Sequence, residues 1–177
     1  MPLETYFHIA SETGLSSVTS LIIGTKEAVL FDPPFLIPDA NDTVTWIKKT
    51  LMADHTLKAV FVTHHHPDHF FSANPILEAF PEASFFAAPY VLAGINREYD
   101  DKVNYWPSIF GRENIPLQPR KDPFEYTFFV LDGNPESPVH LLGPVQGDSV
   151  DHTIFWLPKE RTLICGDTVY RPSPPDD

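Results

Sequence analysis

The sequence predicts a single α/β domain, and three observations carry that reading. Short β-branched and aromatic runs flank a stretch with apolar residues at helical spacing, which gives a strand, helix, strand succession. The length of 177 residues suits one domain with a two-layer or three-layer core. Near the end, apolar runs at 153–157 and 162–167 are joined by Pro158-Lys159-Glu160-Arg161 and read as an antiparallel hairpin.

Taken in order, residues 6–10, 16–23 and 28–31 form a meander whose first strand is an edge. The run Ala28-Val29-Leu30-Phe31 is wholly apolar and stops at Asp32-Pro33-Pro34, as a buried strand ended by proline does. Asp32 then serves either as a partner to a ligating histidine or as a turn-forming carboxylate. From 41 to 53, Val44, Ile47 and Leu51 share one helical face, with Asn41 or Asp42 as N-cap. The strand at 57–62 follows. Residues 73–80 suit a helix with Pro75 in its first turn, and 84–88 another strand.

A helix begins at Val91 and runs through Tyr99. Beyond it, Pro107, Gly111 and Pro116 punctuate an aromatic loop that carries Tyr105, Trp106 and Phe110. This loop is either packed surface or a substrate-binding cover. Strands return at 124–131 and 139–142, before the closing hairpin. Pairing Leu157 with Thr162 puts Thr153 near Gly166, so His152 and Asp167 come close at the open end.

The most informative stretch is Thr63-His64-His65-His66-Pro67-Asp68-His69, at the end of the 57–62 strand. Neutral imidazole and carboxylate together make metal-ligand sets. Alternation along an extended segment sends His64 and His66 to one side, while Pro67 turns Asp68 and His69 elsewhere, so one loop can serve two neighbouring cations. His65 points the other way, for packing or for support of a ligand.

Composition narrows the partners. A net charge of −12 and a pI near 4.9 repel a phosphate backbone, so no nucleic acid is expected. Hydrophobic residues make up 42% and include 14 Phe, which places the chain among globular proteins, and 19 Pro imply many turns. The lone cysteine, Cys165, makes no intrachain disulfide, and neither a leader nor an apolar run of spanning length is seen. The expectation is a cytoplasmic protein with no membrane partner.

The strand ending in Phe31-Asp32-Pro33, the histidine loop and the hairpin ending in Cys165-Gly166-Asp167 resemble, in this order, the metallo-β-lactamase-fold hydrolase superfamily. The resemblance covers nearly the whole chain. It implies an αββα sandwich of two mixed sheets with helices outside, over residues 1–170, followed by a Pro-rich acidic tail at 171–177. It implies a first metal on His64, His66 and a third ligand from before the hairpin, and a second on Asp68 and His69, with Asp167 bridging both. Zn2+ is the implied ion, with Mn2+ or Fe2+ as substitutes.

Two departures from that pattern stand out. The third-ligand place falls in Gln146-Gly147-Asp148-Ser149-Val150-Asp151, where Asp148 occupies it, and His152 comes four residues later. At ~3.3 Å per extended residue the two are about 13 Å apart on a straight chain, so one position suits both only through a sharp fold. Both stay candidates. The residues after Asp167 hold no histidine to complete the second metal, so the resemblance implies a C-terminally truncated form with an exposed face, which favours a homo-oligomer.

The implied activity is metal-dependent hydrolysis of a small-molecule lactone, ester, thioester or β-lactam by a metal-bound hydroxide, which Asp68 holds and orients. Tyr170 is a candidate donor to the oxyanion. Two alternatives are a one-iron sulfur dioxygenase and an inactive, metal-stabilised interaction module.

Overall fold

A computed structural model describes residues 2–116 and 121–169, so Tyr170 and the acidic tail lie outside the described residues. The first sheet is mixed and six-stranded, in the order β1 (Glu4–Ile9), β2 (Val18–Ile23), β3 (Glu27–Phe31), β4 (Thr56–Val62), β5 (Ser84–Ala87), β6 (Asp122–Pro123). Strands β1 to β3 are the expected antiparallel meander with β1 at the edge, and β3 to β6 run parallel. The second sheet is antiparallel and contains β7 (Phe128–Phe129), β8 (Val139–Val145), β9 (His152–Leu157) and β10 (Thr162–Ile164). Leu157 pairs with Thr162, as the hairpin reading requires.

Alternation along the central strands builds two cores at once. Leu21, Ile23, Leu30, Val60 and Val62 face the helices α1 (Ile37–Thr50), α2 (Ala73–Ala79) and α3 (Pro89–Tyr105), where they meet Ile47, Ile76, Val91 and Ile95. Ile22, Val29, Phe31, Ala59 and Phe61 face the second sheet and meet Val139, Phe155, Leu157 and Ile164. Both faces of the parallel strands are therefore apolar, which is why β3 and β4 read as continuous hydrophobic runs. On the outer face of the second sheet Leu163, Trp156, His140 and Phe128 lie in one cross-strand row, with Leu163 and Phe128 more than half exposed.

Three local expectations are corrected. Helix α1 starts at Ile37, not beside Asn41 or Asp42, because Pro38 presets the first turn and Leu36 is the extended cap. The aromatic segment is helical: α3 continues to Tyr105, and α4 (Pro107–Phe110) follows directly, so Pro107 opens a helix and does not break one. Trp106 and Phe110 turn inward against Phe35, with ring centroids 5.2 and 5.1 Å away, and that packing outweighs the local loop signals. The run 124–131 is not one strand. It crosses between the sheets: the Phe124 amide donates to Ala87 in the first, and Thr127 accepts from the Leu141 amide in the second.

Phe61 stands at the centre of the inter-sheet core. Its ring lies 4.9 Å from that of Phe129, 5.3 Å from Phe124, 5.4 Å from Phe155 and 5.7 Å from Phe31. Replacing it with alanine removes contacts on both sheets, and Phe61→Ala is expected to lower stability by about 3–5 kcal/mol. Equilibrium denaturant unfolding checks this, and a loss below about 1 kcal/mol would show that the two sheets do not depend on this ring.

Candidate metal centre

Strand β4 delivers the histidine loop to the edge of the inter-sheet core, and Asp32 at the end of the neighbouring β3 catches it. Asp32 holds a left-handed backbone, φ 55°, which aspartate tolerates better than most residues. Its Oδ1 accepts from the Thr63 amide at 2.7 Å, and its Oδ2 accepts from the Thr63 hydroxyl at 2.8 Å and from His69 Nδ1 at 3.0 Å. The Thr63 hydroxyl, having spent its hydrogen on Asp32, accepts from His64 Nδ1 at 3.0 Å. Both rings thus turn Nε2 inward, toward the other donors. Gly166 makes room for this, since a Cβ there, at φ 47°, would meet Thr63 Oγ1.

Among the described residues two donor groups result, and His64 belongs to both: His64, Asp148 and His152, and His64, His69 and Asp167. On the first side, His64 Nε2 lies 3.2 Å from His66 Nδ1, and Asp148 places its oxygens 2.9 Å from His66 Nδ1 and 3.6 Å from His64 Nε2. On the second, His69 Nε2 is 3.5 Å from Asp68 Oδ2 and 3.4 Å from Asp167 Oδ1. Ligands about 2.0–2.1 Å from a tetrahedral ion stand about 3.3 Å from one another, so these spacings suit a shared cation.

The structure brings Asp148 and His152 to one place beside His64. The 146–149 segment turns sharply, the Gly147 amide donating to the Ser149 carbonyl at 2.8 Å, and this folds the straight-chain separation away. Asp148 Oδ1 comes to lie 2.7 Å from His152 Nε2. The His152 ring is fully buried and stacks on that of His64 at 4.0 Å and 16°. The two rings and Asp148 together form the first donor group. His152 opens β9 and Asp167 lies in the short turn after β10, and the two join different groups.

Charge is unevenly shared. Burial holds His64 far below the ordinary histidine value, and the His69, His152 and His66 rings add to the effect, so His64 is neutral. Burial also lowers His66, against the pull of Asp148. Burial opposes a charge on His69 too, but the Asp32 carboxylate and hydrogen bonds with Asp167 and Asp68 raise it well above the usual value. For Asp68 burial pushes upward, yet the hydrogen bond and charge of His69 win, and its carboxyl is held below the ordinary range.

A cleft of about 420 Å³ opens on this second side. Asp32, Asp68, His69 and Asp167 line it together with Leu15, Val18, Leu163 and Val169. The β1–β2 turn and Thr63 were not marked by sequence reasoning, although Thr63 heads the histidine motif. His65 faces away, its Nδ1 2.7 Å from Asp151. Tyr105 is exposed, and neither it nor Trp106 or Phe110 lines the cleft.

The raised His69 value sets a pH signature for chelator-treated protein. Pairing with Asp32 contributes stability that is fully present below the unfolded histidine value of about 6.5 and is lost as pH rises through the higher folded value. The stability deficit of Asp32→Asn is therefore expected to be largest below about pH 6.5 and to shrink at higher pH. Denaturant unfolding of both proteins across pH 5–9 measures it, and a deficit that grows with pH would contradict this charge assignment.

The sequence profile of the metallo-beta-lactamase superfamily matches residues 13–177. The hydroxyacylglutathione hydrolase of Francisella philomiragia subsp. philomiragia is 26% identical over 150 residues, which are 85% of this chain and 46% of that relative. The chain thus spans less than half the length of that curated relative. Among solved structures, the BLEG-1 B3 metallo-beta-lactamase superposes with a TM-score of 0.68 at 18% identity, over 95% of this chain and 74% of the other. TTHA1623 in a di-iron-bound form gives 0.68 at 22% identity with the same coverage, and the metallo-beta-lactamase from Pontibacter korlensis gives 0.63 at 16%, over 92% and 66%. The profile match over most of the sequence, together with the two packed sheets and the donor groups at their edge, makes this chain a member of the metallo-beta-lactamase superfamily.

Proposed function

We propose that this chain is a metal-dependent hydrolase of a carbonyl ester-type bond. The observation that carries the reading is the pair of donor groups joined at His64, one of which lines a cleft with an apolar rim. His64, His66 and Asp148 would hold one cation, and Asp68 and His69 the other, with Asp167 between them. His152 then serves as support, donating to Asp148 and backing the His64 ring. Zinc at both sites fits this mixture of imidazole and carboxylate, and manganese or ferrous iron fits its oxygen-rich half. Bound cations there supply Lewis acidity toward a carbonyl oxygen and a lowered pKa for water.

The chain's own residues do the remainder. Asp68, ionised and lining the cleft, holds and orients the attacking oxygen. Asp32, holding His69 by Nδ1, keeps its Nε2 turned toward Asp68 and Asp167, where the cation would sit. Leu15, Val18 and Leu163 offer an apolar flank to an acyl or ring substituent. The relative's name puts a glutathione thioester on the panel beside esters, lactones and β-lactams.

Purified protein is expected to carry about two equivalents of zinc or manganese and to hydrolyse at least one member of that panel. Asp68→Asn is expected to lower kcat by about 10²–10⁴-fold, and His66→Ala to remove one equivalent of metal together with the activity. Undiminished turnover in both variants, or after exhaustive chelation, would overturn the proposal. One equivalent of iron with no hydrolysis would favour the dioxygenase.

A further inference from the structure

The geometry points to Asp151 and His65, both buried, and the partly exposed Glu98 as a clamp that positions Asp148 against His64 and His66, an inference that rests on the metal reading above. His65 sits between two ligand candidates but turns its ring to the opposite side of the loop, where it is 5% exposed. Its Nδ1 lies 2.7 Å from both carboxylate oxygens of Asp151, and its Nε2 3.1 Å from Glu98 Oε1. Both ring nitrogens are engaged, so the side chain is fixed at two ends. The backbone between His64 and His66 is fixed with it.

Asp151 follows Asp148 by three residues, on the turn that sends Asp148 into the cation pocket. Its Oδ1 also accepts a short hydrogen bond from the Ser149 hydroxyl, within that turn. One carboxylate therefore ties the Asp148 turn to the histidine loop directly. Glu98 adds the third element, helix α3, and is itself held by Lys102 at 3.0 Å and Arg97 at 2.7 Å. One turn earlier on that helix, a Cβ on Gly94 would lie 2.8 Å from both His65 Cγ and Asp151 Oδ2. The helix backbone thus closes directly over the pair.

These side chains act through the backbone on either side of the ligands; residues that orient ligands from behind typically govern metal affinity by about 10–100-fold. A cluster that only satisfied its own hydrogen bonds would cost stability when cut and leave the cation's surroundings unchanged. Cobalt separates the two cases, because its visible absorption reports the ligand geometry. The experiment titrates metal-free wild type, Asp151→Ala, Asp151→Asn, Glu98→Gln and Gly94→Ala with Co2+, with thermal unfolding followed by circular dichroism.

In Asp151→Ala one of two Co2+ equivalents is expected to bind 10–100-fold more weakly with an altered visible spectrum. Asp151→Asn, which keeps an oxygen for His65 Nδ1, is expected to recover most of the affinity. Gly94→Ala is expected to shift the spectrum by pushing the pair apart. Wild-type affinity and spectrum in Asp151→Ala and Gly94→Ala would overturn the clamp. Should Asp151→Ala fail to fold, wild-type titrations of Glu98→Gln and Gly94→Ala would overturn it equally. A wild type that binds no Co2+ overturns the metal reading and this inference together.

Discussion

The carboxylate of Asp32 is the constraint on which the site depends. It stands where a buried strand ends, in a backbone conformation few residues accept, and receives three hydrogen bonds from the neighbouring strand's loop. Through the Thr63 hydroxyl it orients His64, and directly it orients His69. One buried anion thereby decides which nitrogen two imidazoles present to the interior. Hydrogen bonds to a charged acceptor are among the stronger kinds, contributing roughly 1.5–3 kcal/mol each, and leaving Asp32 buried without them would cost more. These three hydrogen bonds hold the loop in the conformation that turns both rings inward.

That arrangement works because the two sheets converge at the same edge. Parallel β3 and β4 put Asp32 and the histidine loop side by side, while β9 brings His152 and the turn before it. Thr153 donates its amide to the Thr63 carbonyl at 2.7 Å, which stitches the second sheet to the first at the head of the motif. The phenylalanine stack centred on Phe61 sets the spacing beneath that stitch. Packing and site are one structure here: residues 61 to 64 pass from core to donor set within four positions.

Much of this was legible in the residues because the signals are local. Strand β3 stopping at a proline, the alternation of His64 and His66, and the Leu157–Thr162 hairpin register depend on neighbours in sequence and appear as read. Long-range packing decided the remainder. Trp106 and Phe110 look like loop aromatics until Phe35 is placed beside them, and 124–131 looks like a strand until its two ends are assigned to different sheets. The separation of Asp148 from His152 dissolved for the same reason, since a turn closed at Ser149 leaves no periodic signature. Asp151 and Glu98 gave no sign at all, because their link to His65 spans 86 residues in the first case and a helix packing in the second.

Charge balance sets the two sides of the centre apart. His64 faces imidazoles and is neutral, its inward nitrogen carrying a lone pair. His69 faces Asp32, Asp68 and Asp167, and a proton on its ring is the cheapest available counter-charge for three carboxylates drawn together in a buried setting. A cation among those carboxylates supplies the same counter-charge and wants the same Nε2 lone pair, so it competes with that proton. A cation held on the His69 side would therefore release that proton, and its binding would tighten with rising pH to a degree that the neutral His64 ring does not impose.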